Sequence, residues 1–423
     1  MRWRCLLVCC FLIALEAQER GSDSSGGFVT VDRAVQEALE NNLGLLAQRY
    51  NVSIAEARII QARLRPNPVF STGADYQDFL GTGFDRDNQA GPAEVNFRTD
   101  FVLEGGRKRQ RRVEVAEGAR SVAQLQLVDA TRQLILDVQS AFVDVLLAKE
   151  NLELARENLK SLNGIVEVNT TRVRAGDLAK VELLRSRVAA LQFQNAVRQA
   201  ELRLRTARNR LQLLLGRKVA SPGFDVAGPL RRDPEIPPLD ELRAQALQLR
   251  PDLQALQRDQ VRSLADVRLQ IAQGKVDYTV GVQYHRQYDN AVGNSLGFFL
   301  SVPLPVFNRN QGEIERARRE QQQIAARIRA LQAEIGNDVE NARQQSSTAG
   351  EMLHTIEKEM LSQAREVREI TEYSYRRGEA SFVEFLDAQR AFNDTVQSYN
   401  EARAEYARAL YLVEAVTGKA VNP

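Results

Sequence analysis

The sequence predicts a mainly α fold with a small membrane β part: long antiparallel helical hairpins carrying four β-strands per chain. Three observations predict it. The twelve prolines leave two tracts of more than a hundred residues without any, between Pro92 and Pro222 and between Pro305 and Pro423. Proline inside a helix removes a hydrogen bond and clashes with the preceding turn, so such tracts permit very long helices. Four short segments alternate apolar and polar residues with the two-residue period of a strand. The two halves of the chain also match each other in order.

The elements follow from the N-terminus. Arg2 and Arg4, the apolar run Leu6–Leu15 and the small Ala17 read as a secretory signal over residues 1–17, because the run is too short to span a bilayer. All three cysteines, Cys5, Cys9 and Cys10, fall inside it, so the mature chain is expected to hold no disulfide, thiolate nucleophile or cysteine metal site. Leu7 and Val8 are larger than the residues that precede a lipidated cysteine, which argues against a lipid anchor. With 57 basic against 55 acidic residues, interleaved along helical stretches, the composition excludes a nucleic-acid protein held by bulk charge.

The first strand is expected over Val69–Tyr76 and the second over Val95–Leu103, with the Gly-, Asp- and Asn-rich stretch Gln77–Glu94 as an exposed loop between them. From Val122, apolar residues recur at three- and four-residue steps (Leu125, Val128, Leu136, Phe142, Val145, Leu152, Leu159), predicting a helix from about Arg111 to Arg172. Gly176, just past the arginines of a last turn, ends that helix and opens a hairpin. The segment 216–238 is rich in proline and glycine and reads as a linker. A second unit follows, with strands over Val276–His285 and Leu296–Val302, a proline-free helical tract containing Ile324, Ile328, Leu331, Ile335 and Val339, and a break at Gly378. The expected units are therefore 18–215 and 239–412, with a tail over 413–423.

Duplication supports this division. At an offset of 208, Leu45 aligns with Leu253, Phe70 with Tyr278, Gly73 with Gly281 and Tyr76 with Tyr284. At an offset of 202, Arg174 aligns with Arg376, Gly176 with Gly378, Val181 with Val383 and Glu182 with Glu384. Glycines and aromatics that match outside the helices point to one structural unit used twice. Four strands cannot close a barrel, and lipid does not tolerate an open edge. Either the strands form a soluble sheet packed on the helices, or several chains complete one barrel. The secretory signal favours the barrel.

These residues resemble the TolC-type outer membrane factors over essentially the whole mature chain. Ala38-Leu39-Glu40-Asn41-Asn42 with Leu64-Arg65-Pro66-Asn67-Pro68 looks like that family's first helix entering its first strand. Leu103-Glu104-Gly105-Gly106-Arg107 and Val302-Pro303-Leu304-Pro305-Val306-Phe307-Asn308-Arg309-Asn310-Gln311-Gly312 look like the strand-to-helix turns of its heavy-metal efflux branch. The resemblance implies a homotrimer that closes one barrel in the outer membrane of a Gram-negative cell, with the helices as a periplasmic tunnel and 216–238 crossing its equator. It implies a passive exit duct for metal cations or small toxic compounds, working with a periplasmic adaptor and an inner-membrane pump of the RND type. Arg174, Gly176 and Asp177, with Arg376, Gly378 and Glu379, would be tips that meet the adaptor. Glu384 and Asp387 would form acidic rings constricting the pore. The first tip has Glu182, but Arg185 stands where Asp387 falls in the second.

Other chemistry finds little support. Arg107–Arg112 could pass for a nucleic-acid patch, but it follows a strand in a secreted, charge-balanced chain and reads as a helix start near the membrane interface. His285 and His354 lie far apart and no mature cysteine accompanies them, so neither a metal site nor a cofactor is expected, and no enzyme motif is present. Two competing readings stay open on sequence: a type I secretion duct for polypeptides, and a secreted coiled-coil scaffold without a channel.

Overall fold

A computed structural model describes residues 28–77, 79, 92–219, 221, 223–233, 236–288 and 292–419. The expected signal peptide, the cysteines, most of the Gln77–Glu94 loop and residues 420–423 lie outside them. Two units of one plan follow each other. The first runs α1 (Val31–Asn41), α2 (Leu43–Arg63), β1 (Val69–Asp75), β2 (Ala93–Leu103), α3 (Lys108–Ala175) and α4 (Lys180–Leu214). The second runs α5 (Leu239–Leu249), α6 (Pro251–Gln273), β3 (Tyr278–Tyr288), β4 (Val292–Ser301), α7 (Gln311–Thr355), a π-helical turn (Ile356–Met360), α8 (Leu361–Arg377) and α9 (Phe382–Thr417).

The first helix of each unit breaks at the matching residues Asn42 and Arg250, both extended with ψ near 120° (121° and 119°). Asn42 caps α2 through its side-chain oxygen on the Leu45 N–H at 2.9 Å, and its amide donates to the Leu214 carbonyl at 2.9 Å. In the second unit Pro251 takes the first position of α6, where the missing N–H leaves no bond unmade. The Arg250 guanidinium is held there by Asp252 and Asp338 at 2.6 and 2.7 Å.

Helix α3 has 68 residues, about 100 Å at 1.5 Å per residue. A helix of that length is stabilised by its neighbours, and α3 packs against α2, α4, α6 and α9. Of the apolar stripe seen in the sequence, Phe142, Val145 and Leu152 are buried and Leu125, Val128, Leu136 and Leu159 half-buried; Leu134, Val138, Leu162 and Ile165 add to the buried side. Helix α9 continues to Thr417 with Val413 and Val416 buried, so 413–417 belongs to the helix and its core, beyond the expected boundary at 412. The linker is tied to the segment just before α1 by a parallel bridge between Val226 and Val29.

The strands form one antiparallel sheet in the order β1-β2-β3-β4. Cross-strand register puts Phe101 beside Val280 and Leu300, and Val282 beside Phe298. Phe70, Phe97 and Tyr284 stack across three strands with centroids 6.4 Å apart at each step. This apolar face is bare, with Phe298 75% and Leu300 69% exposed. The other face is polar: Arg98 pairs with Asp100 at 2.9 Å, and His285 lies 3.6 Å from Glu94. The outer edges of β1 and β4 have no strand beside them among the described residues.

Sheet and helices meet through close backbone contacts. A Cβ on Gly105 would fall 2.1 Å from the Val276 carbonyl oxygen, and one on Gly274 2.4 Å from that of Arg309. The long helices of both units then start from a left-handed residue, Arg107 (φ 58°) and Asn310 (φ 62°). Glycine is required at these two crossings because no side chain fits between the chains.

Candidate functional site

The ends of the two hairpins farthest from the sheet come together as one site. Helix α3 stops at Gly176 (φ 88°), whose N–H donates to the Val173 carbonyl at 3.2 Å while the Asp177 N–H donates to that of Arg172 at 2.8 Å. Helix α8 stops in the same way at Gly378 (φ 83°), with bonds from Gly378 to Tyr375 at 3.0 Å and from Glu379 to Ser374 at 2.9 Å. Both are Schellman-type ends that need a left-handed residue, which accounts for the matching glycines. Arg174, Gly176, Asp177, Arg376, Gly378 and Glu379 are all exposed.

What joins the tips is buried. Tyr375, 2% exposed, stacks on Phe385 at 5.6 Å and tilts against Phe382 at 5.9 Å; Leu162, Ile165 and Ala189 of the first hairpin close the cluster. The Tyr375 hydroxyl donates to Asn169 Oδ1 at 2.7 Å, and burial pushes the phenol above its ordinary pKa, so it stays a neutral donor. Arg172 of the first hairpin donates to the Tyr375 carbonyl at 3.5 Å and also lies against Gly378.

The two acidic residues sit just beyond the second tip. Ser381 caps α9 in a capping box: the Glu384 N–H donates to the Ser381 hydroxyl at 3.2 Å and the Ser381 N–H donates to the Glu384 carboxylate at 2.7 Å. That N–H, with the serine hydroxyl, holds the Glu384 carboxyl below the usual glutamate range. Asp387 is exposed, one turn on and on the same face of the helix. In the first hairpin Glu182 is instead neutralised by Arg185 at 2.8 Å. Past the tips, the acid of the first hairpin is therefore paired and those of the second have no cation partner among the described residues, while at the tips themselves Asp177 and Glu379 are both exposed without one.

A column of buried and half-buried amides escapes sequence reasoning. Asn158 of α3 bonds Asn393 at 2.6 Å and Gln389 at 2.9 Å, and Asn151 bonds Asn400 at 3.1 Å. Asn151 and Asn158 are one heptad apart, as are Asn393 and Asn400, which is the signal that could have found them: polar residues at core positions of a coiled coil fix register. Among Gln, Arg and Glu they look like ordinary solvated positions.

Long helical hairpins beneath a sheet with a bare apolar face and free edges define a membrane duct subunit. No described helix is long and apolar enough to cross a membrane. The family model described as outer membrane efflux protein matches residues 34–217 and 242–419, and the chain belongs to that family. It is 25% identical over 396 residues to the cobalt-zinc-cadmium resistance protein CzcC of Cupriavidus metallidurans, covering 93% of this chain and 91% of that one. Its fold is similar to that of crystalline CusC (TM-score 0.77, 18% identity, 92% and 93% covered). It is also similar to the open state of the MtrE outer membrane channel of Neisseria gonorrhoeae (TM-score 0.74, 18% identity, 92% and 88% covered). The chain is an outer-membrane efflux duct without enzymatic activity, with its helical tunnel in the periplasm, and its family works with adaptors and inner-membrane pumps. These matches bear out the family resemblance and the mainly α fold with a membrane β part, and they do not favour the scaffold or polypeptide-secretion readings.

Proposed function

We propose that three copies of this chain close one barrel of about twelve strands and that the duct exports metal cations delivered by a periplasmic adaptor and an RND-type pump. One observation carries the assembly: a four-stranded sheet with an exposed apolar face and two free edges is stable in lipid only when other copies pair those edges. The metal cargo is supported by the relative named for cobalt, zinc and cadmium resistance. The exposed tips Arg174, Gly176, Asp177, Arg376, Gly378 and Glu379 meet the adaptor. Three copies of Glu384 and Asp387 form acidic rings that favour cations at the entrance.

The test is single-channel conductance of the detergent-extracted protein in a planar bilayer, with crosslinking to count chains. A trimer with discrete, cation-biased conductance is the expected result, and a water-soluble chain without conductance would refute the barrel. Glu384→Ala with Asp387→Ala is expected to lower cation selectivity while trimers still form; unchanged selectivity removes the ring role. Gly378→Val is expected to impair zinc export from cells while trimers remain in the membrane, and normal export would remove the second tip as a docking point.

A further inference from the structure

Cations and large apolar side chains come together where the helices meet the sheet. Leu103 and Tyr278, paired across β2 and β3, form the last row of the apolar face on the helix side. Just beyond that row lies Lys108, 5% exposed, with its ammonium 2.8 Å from Asp277 Oδ2 and the Gly105 N–H 2.8 Å from Asp277 Oδ1. Two clefts flank this neutralised pair, and Lys108 lines both. One, of about 480 Å³, is lined by Lys275, Leu304 and Phe307; the next residues of the same turn lead to Arg309, whose guanidinium bonds the Pro305 carbonyl. The other, of about 310 Å³, is lined by Arg65, Arg109 and Leu103.

Lys275, Arg309, Arg65 and Arg109 have no carboxylate partner among the described residues, whereas the nearby Glu104 and Asp277 are taken by Arg112 and Lys108. At the same level the turn after β4 exposes large apolar side chains to an unusual degree, Leu304 80% and Phe307 91%. A solvated turn would not combine unpaired cations with bare leucine and phenylalanine. An interface between hydrocarbon and phosphate would, because the apolar side chains reach the acyl region while the cations stay at headgroup depth. Leu103 of the last apolar row lines the second cleft and Val276, two residues before Tyr278, lines the first, so the depth of both in the membrane is set by the sheet.

We propose that this collar binds the phosphate headgroups of anionic phospholipids in the periplasmic leaflet. Lys275 and Arg309 hold one headgroup and Arg65 and Arg109 another, while Leu304 and Phe307 enter the acyl layer. The site rests on the barrel reading and adds to it a lipid class and a depth. It also assigns a use to the basic run that opens α3, where Arg109 faces the second cleft and Lys108 is spent on Asp277.

The test uses the full chain reconstituted into phosphatidylcholine vesicles with and without phosphatidylglycerol, followed by native mass spectrometry of the extracted trimer. Wild type is expected to retain phosphatidylglycerol in preference to phosphatidylcholine. Each neutralised cation is expected to weaken that retention about fivefold, so K275Q with R309Q shows the larger loss. F307S is expected to weaken retention of both lipids and leave the preference intact. Trimers that insert but retain the two lipids equally, or a double variant that retains phosphatidylglycerol like wild type, would overturn the collar while leaving the duct standing. Displacement of the lipid by excess inorganic phosphate would overturn the headgroup assignment, because the clefts would then take a bare anion. Failure to insert into either vesicle would remove the barrel reading and the collar together.

Discussion

The two hairpins were built to one plan and now differ in three places. They agree where backbone geometry leaves no choice: both start from a left-handed residue, Arg107 or Asn310, and both turn at a left-handed glycine, Gly176 or Gly378. They differ where side chains meet solvent or a neighbour. The rising helix of the first is continuous over 68 residues, whereas that of the second is interrupted by the π turn at Ile356–Met360. The descending helix of the second opens with a capping box, while α4 starts at Ala179 without a side-chain cap. Past the first tip Glu182 is paired with Arg185, while past the second Glu384 and Asp387 have no cation partner among the described residues. Duplication thus preserved the turns and junctions that make a hairpin possible and let one copy acquire a hinge, a cap and a charge.

The largest effect should come from breaking the close backbone crossings where sheet and helices meet. Gly105→Val and Gly274→Val each place carbon within 2.4 Å of a backbone carbonyl, that of Val276 just before β3 and that of Arg309 just before α7, which cannot retreat without moving the element that follows. Neither variant is expected to yield barrel or trimer, read as loss of the trimer band on a semi-native gel. Gly164 in α3 and Gly336 in α7 meet nothing within 4 Å, and their alanine variants should gain about 0.5–1 kcal/mol of helix stability each. Equal behaviour of the two pairs would mean that the junction contacts do not matter.

Next in size is the aromatic cluster that binds the tips together. Phe385 is fully buried between Tyr375 and Phe382 and touches both hairpins. Phe385→Ala should cost about 3–5 kcal/mol locally and expose both tips to protease, while the sheet stays trimeric. Protection like that of wild type would show that the hairpins are held elsewhere along their length. Tyr375→Phe removes only the bond to Asn169, whose Nδ2 already lacks a partner, and should loosen the tips by about 1–3 kcal/mol.

How much of this was legible in the sequence depends on the length scale of the signal. Proline-free tracts, alternating strands and matched glycines each span many residues, so the hairpins, the sheet and the duplication could be read directly. The π turn could not, because one extra residue in a helical turn scarcely disturbs a pattern of three- and four-residue steps. Its counterpart in the first hairpin, Leu154–Asn158, is ordinary helix with a similar polar mixture. The role of Glu384 as half of a capping box is written in Ser381-Phe382-Val383-Glu384, but the same carboxylate suits a pore-facing acid equally well, so the sequence does not separate the two roles.

The π turn itself offers a smaller test. Arg232 of the linker grips Glu357 through both carboxylate oxygens at 2.7 and 3.2 Å, and the Tyr399 hydroxyl donates to the same group at 3.4 Å. The Arg232 bond holds the Glu357 carboxyl below the usual glutamate range. An exposed pair of this kind contributes about 0–1 kcal/mol, so Arg232→Ala should leave global stability nearly unchanged. Amide exchange over 356–360 should nevertheless rise, with no change over 154–158. A parallel rise in both hairpins would mean that the linker stiffens the whole tunnel and not this hinge.

The finest distinction between the tips is their response to acid. The folded pKa of Glu384 lies below its ordinary value, so its cap contribution is complete above the ordinary glutamate range and is lost as pH falls through the lowered folded value. Helix α4 has no side-chain cap to lose in this way. Acidification should therefore increase amide exchange at 382–385 before it does so at 180–183, and Ser381→Ala should abolish the difference by removing the hydroxyl half of the box. If both helix starts open together in wild type, the cap is not what steadies the second tip, and the acids there are free to act on the pore alone.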